Sequence, residues 1–241
     1  MKQTGQTGRK KWNNLKGTAK IQYIWDYYKL PIFLICVCVY VAGYVAWRNV
    51  NSEYPQLYLA YVNVEAGETL DRQLTTDFID YLRPAQKNSV VRAIRSLALT
   101  DNLQEVDGSY VYASQVKILS AIENKQMDVV IMNREAFDAF SQNGFLINLD
   151  TFAEAQNLTH LQPYFVDNIE ILSDNATEVL TNPEATYKSE TVSYPMGIEI
   201  TDFPYIKEAG FPDHVYLGII SNTEHAENAA AFVTYLAGAA D

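Results

Sequence analysis

Cysteine is almost missing from this 241-residue chain: Cys36 and Cys38 are its only two. Both fall inside one long apolar run, and their i, i+2 spacing points them to different sides of a helix, so they are poor partners for each other. The rest of the chain has no disulfide to lean on and must stand on a hydrophobic core. Histidine is nearly as scarce. His160, His214 and His225 are the only three, with no i, i+4 pair, which argues against a structural zinc or a histidine-centred metal site. After the apolar run no cysteine is left to serve as a nucleophile. There is no Gly-x-Ser-x-Gly elbow, no Walker-type phosphate loop and no calcium-loop pattern. The expectation is therefore no catalytic residue, no metal and no cofactor. At 48% hydrophobic and 20% charged residues, the composition can bury a core and does not favour disorder.

Basic residues are few and unevenly placed. Residues 1–29 hold seven (Lys2, Arg9, Lys10, Lys11, Lys16, Lys20 and Lys29) against one acid, Asp26, a net of +6. Residues 30–241 hold eleven basic and twenty-eight acidic residues, a net of −17, so the total of −11 hides two segments of opposite sign. Such a split suits two different electrical environments. The acidic part is repelled by nucleic-acid phosphates, so no nucleic-acid partner is expected.

Between the two lies LPIFLICVCVYVAGYVAW, Leu30 to Trp47, without a charge. As a helix these eighteen residues span about 27 Å, close to the hydrocarbon thickness of a bilayer. Lys29 and Arg48 bracket the run, and Tyr23, Trp25, Tyr27, Tyr28, Tyr44 and Trp47 crowd its ends as an interfacial belt would. Pro31 reads as a first-turn proline. A cleavable signal peptide fits poorly, because the apolar stretch is long and Val45-Ala46-Trp47 is a poor cleavage pattern. A lipoprotein signal fits no better, since Ile35 and Val37 precede the cysteines. The reading is a basic cytoplasmic tail over 1–29, a transmembrane helix over 30–48 in the lipid bilayer, a linker over 49–56 and an extracytoplasmic domain over 57–241. The tail's charge sets that orientation.

In the outer domain strand-like and helix-like stretches alternate. Leu57–Val64 reads as a strand. A helix capped by Thr75 or Thr76 carries Phe78, Ile79 and Leu82 and stops at Pro84. Val90–Leu99 is a second strand, and a polar loop follows from Asp101. A helix over Tyr110–Asn124 shows an inward stripe of Val111, Ile118, Leu119 and Ile122. Asp128–Met132 is a buried parallel strand, Asn133 caps the next helix with its Phe137–Phe140 face, and Gly144 ends it. Residues 160–190 are polar and hold a hairpin at most. Thr191–Ile200 is extended, a short helix runs near Phe203–Ala209, and Val215–Ile220 is a strand. Asn222 or Thr223 caps a last helix with Ala229, Phe232, Val233 and Leu236 inward. Gly197 and Gly218 read as close strand packing. This alternation predicts an α/β fold with a parallel-dominated sheet and helices on both faces.

Ligands of such a sheet meet it beyond the carboxyl ends of its strands. Six residues are candidates there: Asn63 and Glu65 after the first strand, Asn133 and Arg134 after Asp128–Met132 at a helix N-terminus, and Glu199 and Thr201 after the Thr191–Ile200 strand. Each has a plainer job open to it, as cap, turn or surface residue. Carboxylate pairs such as Glu65 with Glu68, or Glu199 with Asp202, fit a solvated acidic surface or an enzyme's acid–base pair. The seventeen tyrosines suit a partner surface as well as a core.

The stretch QVKILSAIENKQMDVVIMNREAFDAFSQNGFLINLDTF, Gln115 to Phe152, resembles the type II periplasmic (extracellular) solute-binding proteins. It carries a Leu/Ile-rich helix, the strand Asp128 to Met132, a helix with Phe137 and Phe140, then Gly144, Leu149 and Asp150. Tyr194-Pro-Met-Gly-Ile198 looks like that family's crossing strand, and Val215 to Leu236 like its returning strand and packing helix. Trp25-Asp-Tyr-Tyr-Lys29 and Tyr61-Val-Asn63 look like single-pass membrane proteins of clostridia-type Firmicutes. The resemblance implies a binding domain, and an ABC-type permease as one partner. The chain departs from the family in having only Thr201 to His214 where a second lobe is inserted. Either residues 153–190 supply a small second lobe or the domain is one lobe. One lobe cannot close on a small solute, which favours a protein, peptide or cell-wall partner.

Overall fold

Along the central strands apolar residues occupy every position, not every second one. Leu57, Leu59 and Tyr61 belong to one buried cluster and Ala60 and Val62 to another; Val129 and Ile131 divide from Val130 and Met132 in the same way. A strand whose side chains alternate between two cores is covered on both faces.

The computed structural model describes residues 18–100, 108–182 and 184–238, and within its first helix the side chains of residues 30, 31, 33–48 and 51. Residues 1–17 of the basic tail, the polar loop from Asp101 and Pro183 lie outside the described residues. The chain divides into two compact units, Met1–Ser52 and Glu53–Asp241.

The first unit holds helix α1, Thr18–Asn51. Starting at Thr18, the helix makes Pro31 an interior residue where a first-turn proline is expected; its ring removes one helical hydrogen bond. The helix also continues into the expected linker 49–56. Asn51 Nδ2 donates to Trp47 O at 2.9 Å and Ser52 Oγ to Arg48 O at 2.7 Å, closing the last turn, and the first strand starts at Tyr54. Among the described residues no helix is long and apolar enough to cross a membrane.

The second unit is α/β. Its elements are β1 (Tyr54–Val62), α2 (Glu68–Arg72), a π-helical turn (Gln73–Asp77), α3 (Phe78–Leu82), β2 (Ser89–Leu97), α4 (Gly108–Glu123), β3 (Val129–Met132), α5 (Arg134–Gln142), α6 (Leu149–Gln156), a 3-10 turn (Thr159–Tyr164), β4 (Phe165–Asp174), α7 (Ala176–Thr181), β5 (Ser189–Glu199), α8 (Pro204–Ala209), β6 (Tyr216–Ile219) and α9 (Ala226–Leu236). The six strands form one sheet in the order β2-β1-β3-β6-β5-β4. β2, β1 and β3 pair in parallel, and β6, β5 and β4 add antiparallel. The sheet is therefore mixed. Four strands share one direction, but parallel pairing is confined to one half.

One face carries α2, α3, α6, α8 and α9, with Phe78 edge-on to Phe232 at 5.0 Å between ring centres. The other carries α4 and α5. Gly197 lies under Phe137 so closely that a Cβ there would meet the ring at 2.5 Å, and a Cβ on Gly218 would meet Leu146 at 2.7 Å. Both glycines are close-packing positions, as their sequence setting suggests.

Several local expectations shift. The helix before Pro84 begins at Glu68, and Thr75 lies inside it, donating to Asp71 O at 2.6 Å instead of capping. Arg83 takes the left-handed conformation (φ 47°) and ends it ahead of Pro84. Leu119, expected inward on α4, is 47% exposed. The last helix has His225 at its N-cap position; Thr223 Oγ1 instead accepts from His225 N and donates to buried Asp128. The region 160–190 is resolved as a hairpin. β4 and β5 pair from Phe165–Ile198 out to Asp174–Ser189, but β5 meets β6 only over Gly197–Glu199. The outer part of the hairpin is a two-stranded ribbon with α7 at its turn. Glu53–Asp241 is one compact unit, so residues 153–214 do not separate as a second lobe.

Candidate functional site

The chain leaves β1 for β2 on one side and later returns to β3 on the other, which makes the carboxyl ends of β1 and β3 the switch point of the sheet. Asn63 is the first residue past β1. It sits in the left-handed region (φ 56°), which asparagine tolerates better than other side chains with a Cβ. Its side chain explains why it stays there. Oδ1 accepts from Leu99 N at 2.8 Å, while Nδ2 donates to Leu99 O at 2.5 Å and to Asn133 Oδ1 at 3.1 Å.

Asn133 is the first residue past β3. Its Oδ1 also accepts from Ala136 N at 3.0 Å, so it caps α5 as its position predicts. β5 runs in the same direction as β1 and β3, and β6 runs back. The end of β5 and the approach to β6 therefore lie at this same edge. Thr201 Oγ1 accepts from Val215 N at 2.9 Å, and Ile200 N donates to Val215 O at 2.9 Å. Glu199 and His214 Nδ1 are hydrogen-bonded at 2.5 Å.

These residues frame a cleft of about 280 Å³ lined by Asn63, Val64, Glu65, Asn133 and Phe211–Val215. Three of the six sequence candidates, Asn63, Glu65 and Asn133, line it directly. Glu199 and Thr201 reach it through His214 and Val215. Arg134 does not join them. Its guanidinium packs over the rings of Phe137 at 5.5 Å and Tyr216 at 5.8 Å and pairs with Asp138 at 3.0 Å. Those rings and Asp138 hold the guanidinium, and Arg134 is not among the residues lining the cleft.

The cleft offers exposed Glu65, Asp213 and His214 around the partly buried ring of Phe211 and the buried Val215. Asn133 Oδ1 and both side-chain atoms of Asn63 are already engaged, which makes the pair a fixed floor. Phe211, Pro212 and Asp213 were not singled out by the sequence. The usable signal was Gly210, which ends α8 at φ 70°, followed by Pro212 in a turn. Of the carboxylate pairs, Glu199 and Asp202 turn to different partners, Asp202 to Lys207 at 3.2 Å and Glu199 to His214. Among the described residues no three or more His, Cys, Asp and Glu stand together as a metal site.

A second polar cluster lies at the opposite end of β3. Asp128 is fully buried and accepts from Tyr58 N at 2.7 Å, from Thr223 Oγ1 at 2.5 Å and from the His225 ring at 3.0 Å. It ties β1, β3 and the β6–α9 connection into one network.

No family model matches the chain, and a comparison with characterised proteins finds no similar one.

Proposed function

We propose that the chain is a single-pass membrane protein that uses α1 as its anchor. Its domain beyond Glu53 is a non-enzymatic binding module outside the cytoplasm, related to type II solute-binding proteins but reduced to one lobe. The observation that carries the anchor is the charge-free run Leu30–Trp47 inside a 34-residue helix. Its side chains include Leu30, Phe33, Leu34, Ile35 and Val39 at 61–73% exposure. Apolar side chains on all sides of a helix need an apolar surround. The +6 tail favours the cytoplasmic side for the N-terminus. The binding role rests on the cleft at the switch point, built by Asn63, Glu65, Asn133, Phe211 and His214. β5 and β6, the crossing and returning strands of the resemblance, are antiparallel neighbours joined by α8 and its turns, and no lobe intervenes. A one-lobed cleft suits a protein, peptide or cell-wall ligand.

A tethered receptor for an ABC-type permease is the second reading, favoured by the cleft's position at the switch point. Thermal unfolding of the full chain separates the two. A ligand at about 100 times its Kd stabilises by roughly 2.7 kcal/mol. The one-lobed module gives no shift with free amino acids or sugars and a shift with peptides or wall fragments, lost in Asn133→Ala. A shift with a free amino acid or sugar overturns it in favour of the receptor. A carboxylate enzyme is the third reading, and turnover abolished by Glu65→Gln would establish it.

A further inference from the structure

The cleft at the switch point carries charge of one sign. Glu65 and Asp213 line it, both exposed, and neither has a hydrogen bond or ion pair among the described residues. No lysine or arginine lines it. The two segments that flank it, residues 63–72 and 199–214, hold seven acids against Arg72 and Lys207. Lys207 is taken by Asp202 at 3.2 Å, and the bases on the neighbouring β2 and α5 are also engaged, Arg95 with Asp71 at 2.6 Å and Arg134 with Asp138 at 3.0 Å. His214 Nδ1 is bonded to Glu199 at 2.5 Å, so in either protonation state that pair adds no net positive charge. Residues 101–107, outside the described ones, hold three acids and no base, which leaves the sign of the argument unchanged.

We propose that the cleft takes the cationic side chain of a peptide, a lysine or arginine, its charged head between Glu65 and Asp213 and its aliphatic stem along Phe211 and Val215. The inference rests on reading the cleft as a peptide-binding site. Three observations select a cation. The amides of Asn63 and Asn133 and the hydroxyl of Thr201 are already bonded within the domain, so the two carboxylates are the polar groups left to a ligand. An anion is refused by those acids, and the nearby N-terminus of α5 is closed by its own cap, Asn133 Oδ1 to Ala136 N at 3.0 Å. The partly buried ring of Phe211 and the buried Val215 give an alkyl stem and its charged end an apolar wall beside the acids. At about 280 Å³ the cleft is just under the roughly 300–1,000 Å³ of small-molecule pockets, which suits one side chain of a longer ligand.

Fluorescence anisotropy of the full chain in phosphatidylcholine nanodiscs tests this. The probes are labelled peptides Gly-Ala-X-Ala-Gly, amidated at the C-terminus, with lysine, norleucine or glutamate at X. The lysine peptide is expected to bind about tenfold tighter than the norleucine peptide, and the glutamate peptide weakest. Glu65→Gln and Asp213→Asn, conservative changes at exposed positions, are each expected to weaken the lysine peptide about fivefold, the scale of one exposed ion pair, and to leave the norleucine peptide unchanged. Glu178→Gln with Glu184→Gln, at the far tip of the β4–β5 hairpin, removes the same charge elsewhere and is expected to change nothing. Equal binding of the lysine and norleucine peptides, both lost in Asn133→Ala, overturns the cationic ligand and leaves the cleft as a peptide site. A lysine preference weakened as much by the hairpin pair as by the cleft pair also overturns it, since the attraction then belongs to the net charge of the domain. Binding of none of the peptides removes the peptide reading of the cleft and this inference with it.

Discussion

Asn63 and Asn133, 70 residues apart, are joined by a hydrogen bond of 3.1 Å from Nδ2 of the first to Oδ1 of the second. That bond ties the ends of β1 and β3 together at the floor of the cleft. Replacing Asn63 by alanine removes three hydrogen bonds and leaves a Cβ residue in the left-handed region, which alone costs roughly 1–2 kcal/mol. Replacing it by glycine removes the bonds only. Asn63→Ala is expected to be the less stable of the two by about 1 kcal/mol, read from urea midpoints at unchanged m. Equal midpoints would mean that the backbone relaxes out of φ 56°.

Gly197 and Phe137 define a second contact. A methyl group at 197 would overlap the ring at 2.5 Å, and overpacking of this kind costs about 1–3 kcal/mol. Gly197→Ala is expected to destabilise by that amount. Phe137→Leu in the same chain is expected to recover part of it, so the double-mutant cycle is non-additive. Additive losses would place the strain elsewhere.

Asp128 holds the far end of β3. Asp128→Ala strands the partly buried Tyr58 N–H and Thr223 hydroxyl that its buried carboxylate now accepts from and is expected to cost about 3 kcal/mol. Asp128→Asn keeps an acceptor of the same shape and is expected to cost clearly less. Chemical denaturation of the two variants measures the difference.

Much of this was readable in the residues. Asp128–Met132, Asn133 and Gly144 mark a buried strand, a cap and a stop, because each rests on a local rule: apolar run, capping oxygen, left-handed turn. Asn63 and Asn133 were found together because strand ends of an α/β sheet gather at one edge. Other features depend on contacts distant in sequence. Leu119 has the spacing of a core residue, yet α4 is rotated so that Val111, Ile118 and Ile122 fill the core and Leu119 faces out. Arg134 follows a cap but is drawn onto the rings of Phe137 and Tyr216. Thr223 is turned from a cap into a partner for Asp128, 95 residues away. No periodicity records such pairings.

Tyr194 sets an alkaline limit. Burial and then its hydrogen bond to Glu170 push its hydroxyl up to about 12 from 10.0. A raised folded value means that this group's contribution is complete below pH 10 and is lost as pH rises through about 12. Stability measured across that window is expected to fall less steeply in Tyr194→Phe than in the unsubstituted chain. The same slope in both would contradict the assignment. Burial raises Tyr61 and Tyr235 in the same direction.

The membrane reading is tested most directly by protease added to intact cells making the full chain with distinct tags at its two ends. A single-pass anchor with the acidic domain outside predicts loss of the C-terminal tag while the N-terminal tag survives on a membrane-bound fragment reaching about Trp47. Protection of residues 53–241 in intact cells, or a mature chain that begins after Trp47, would contradict it.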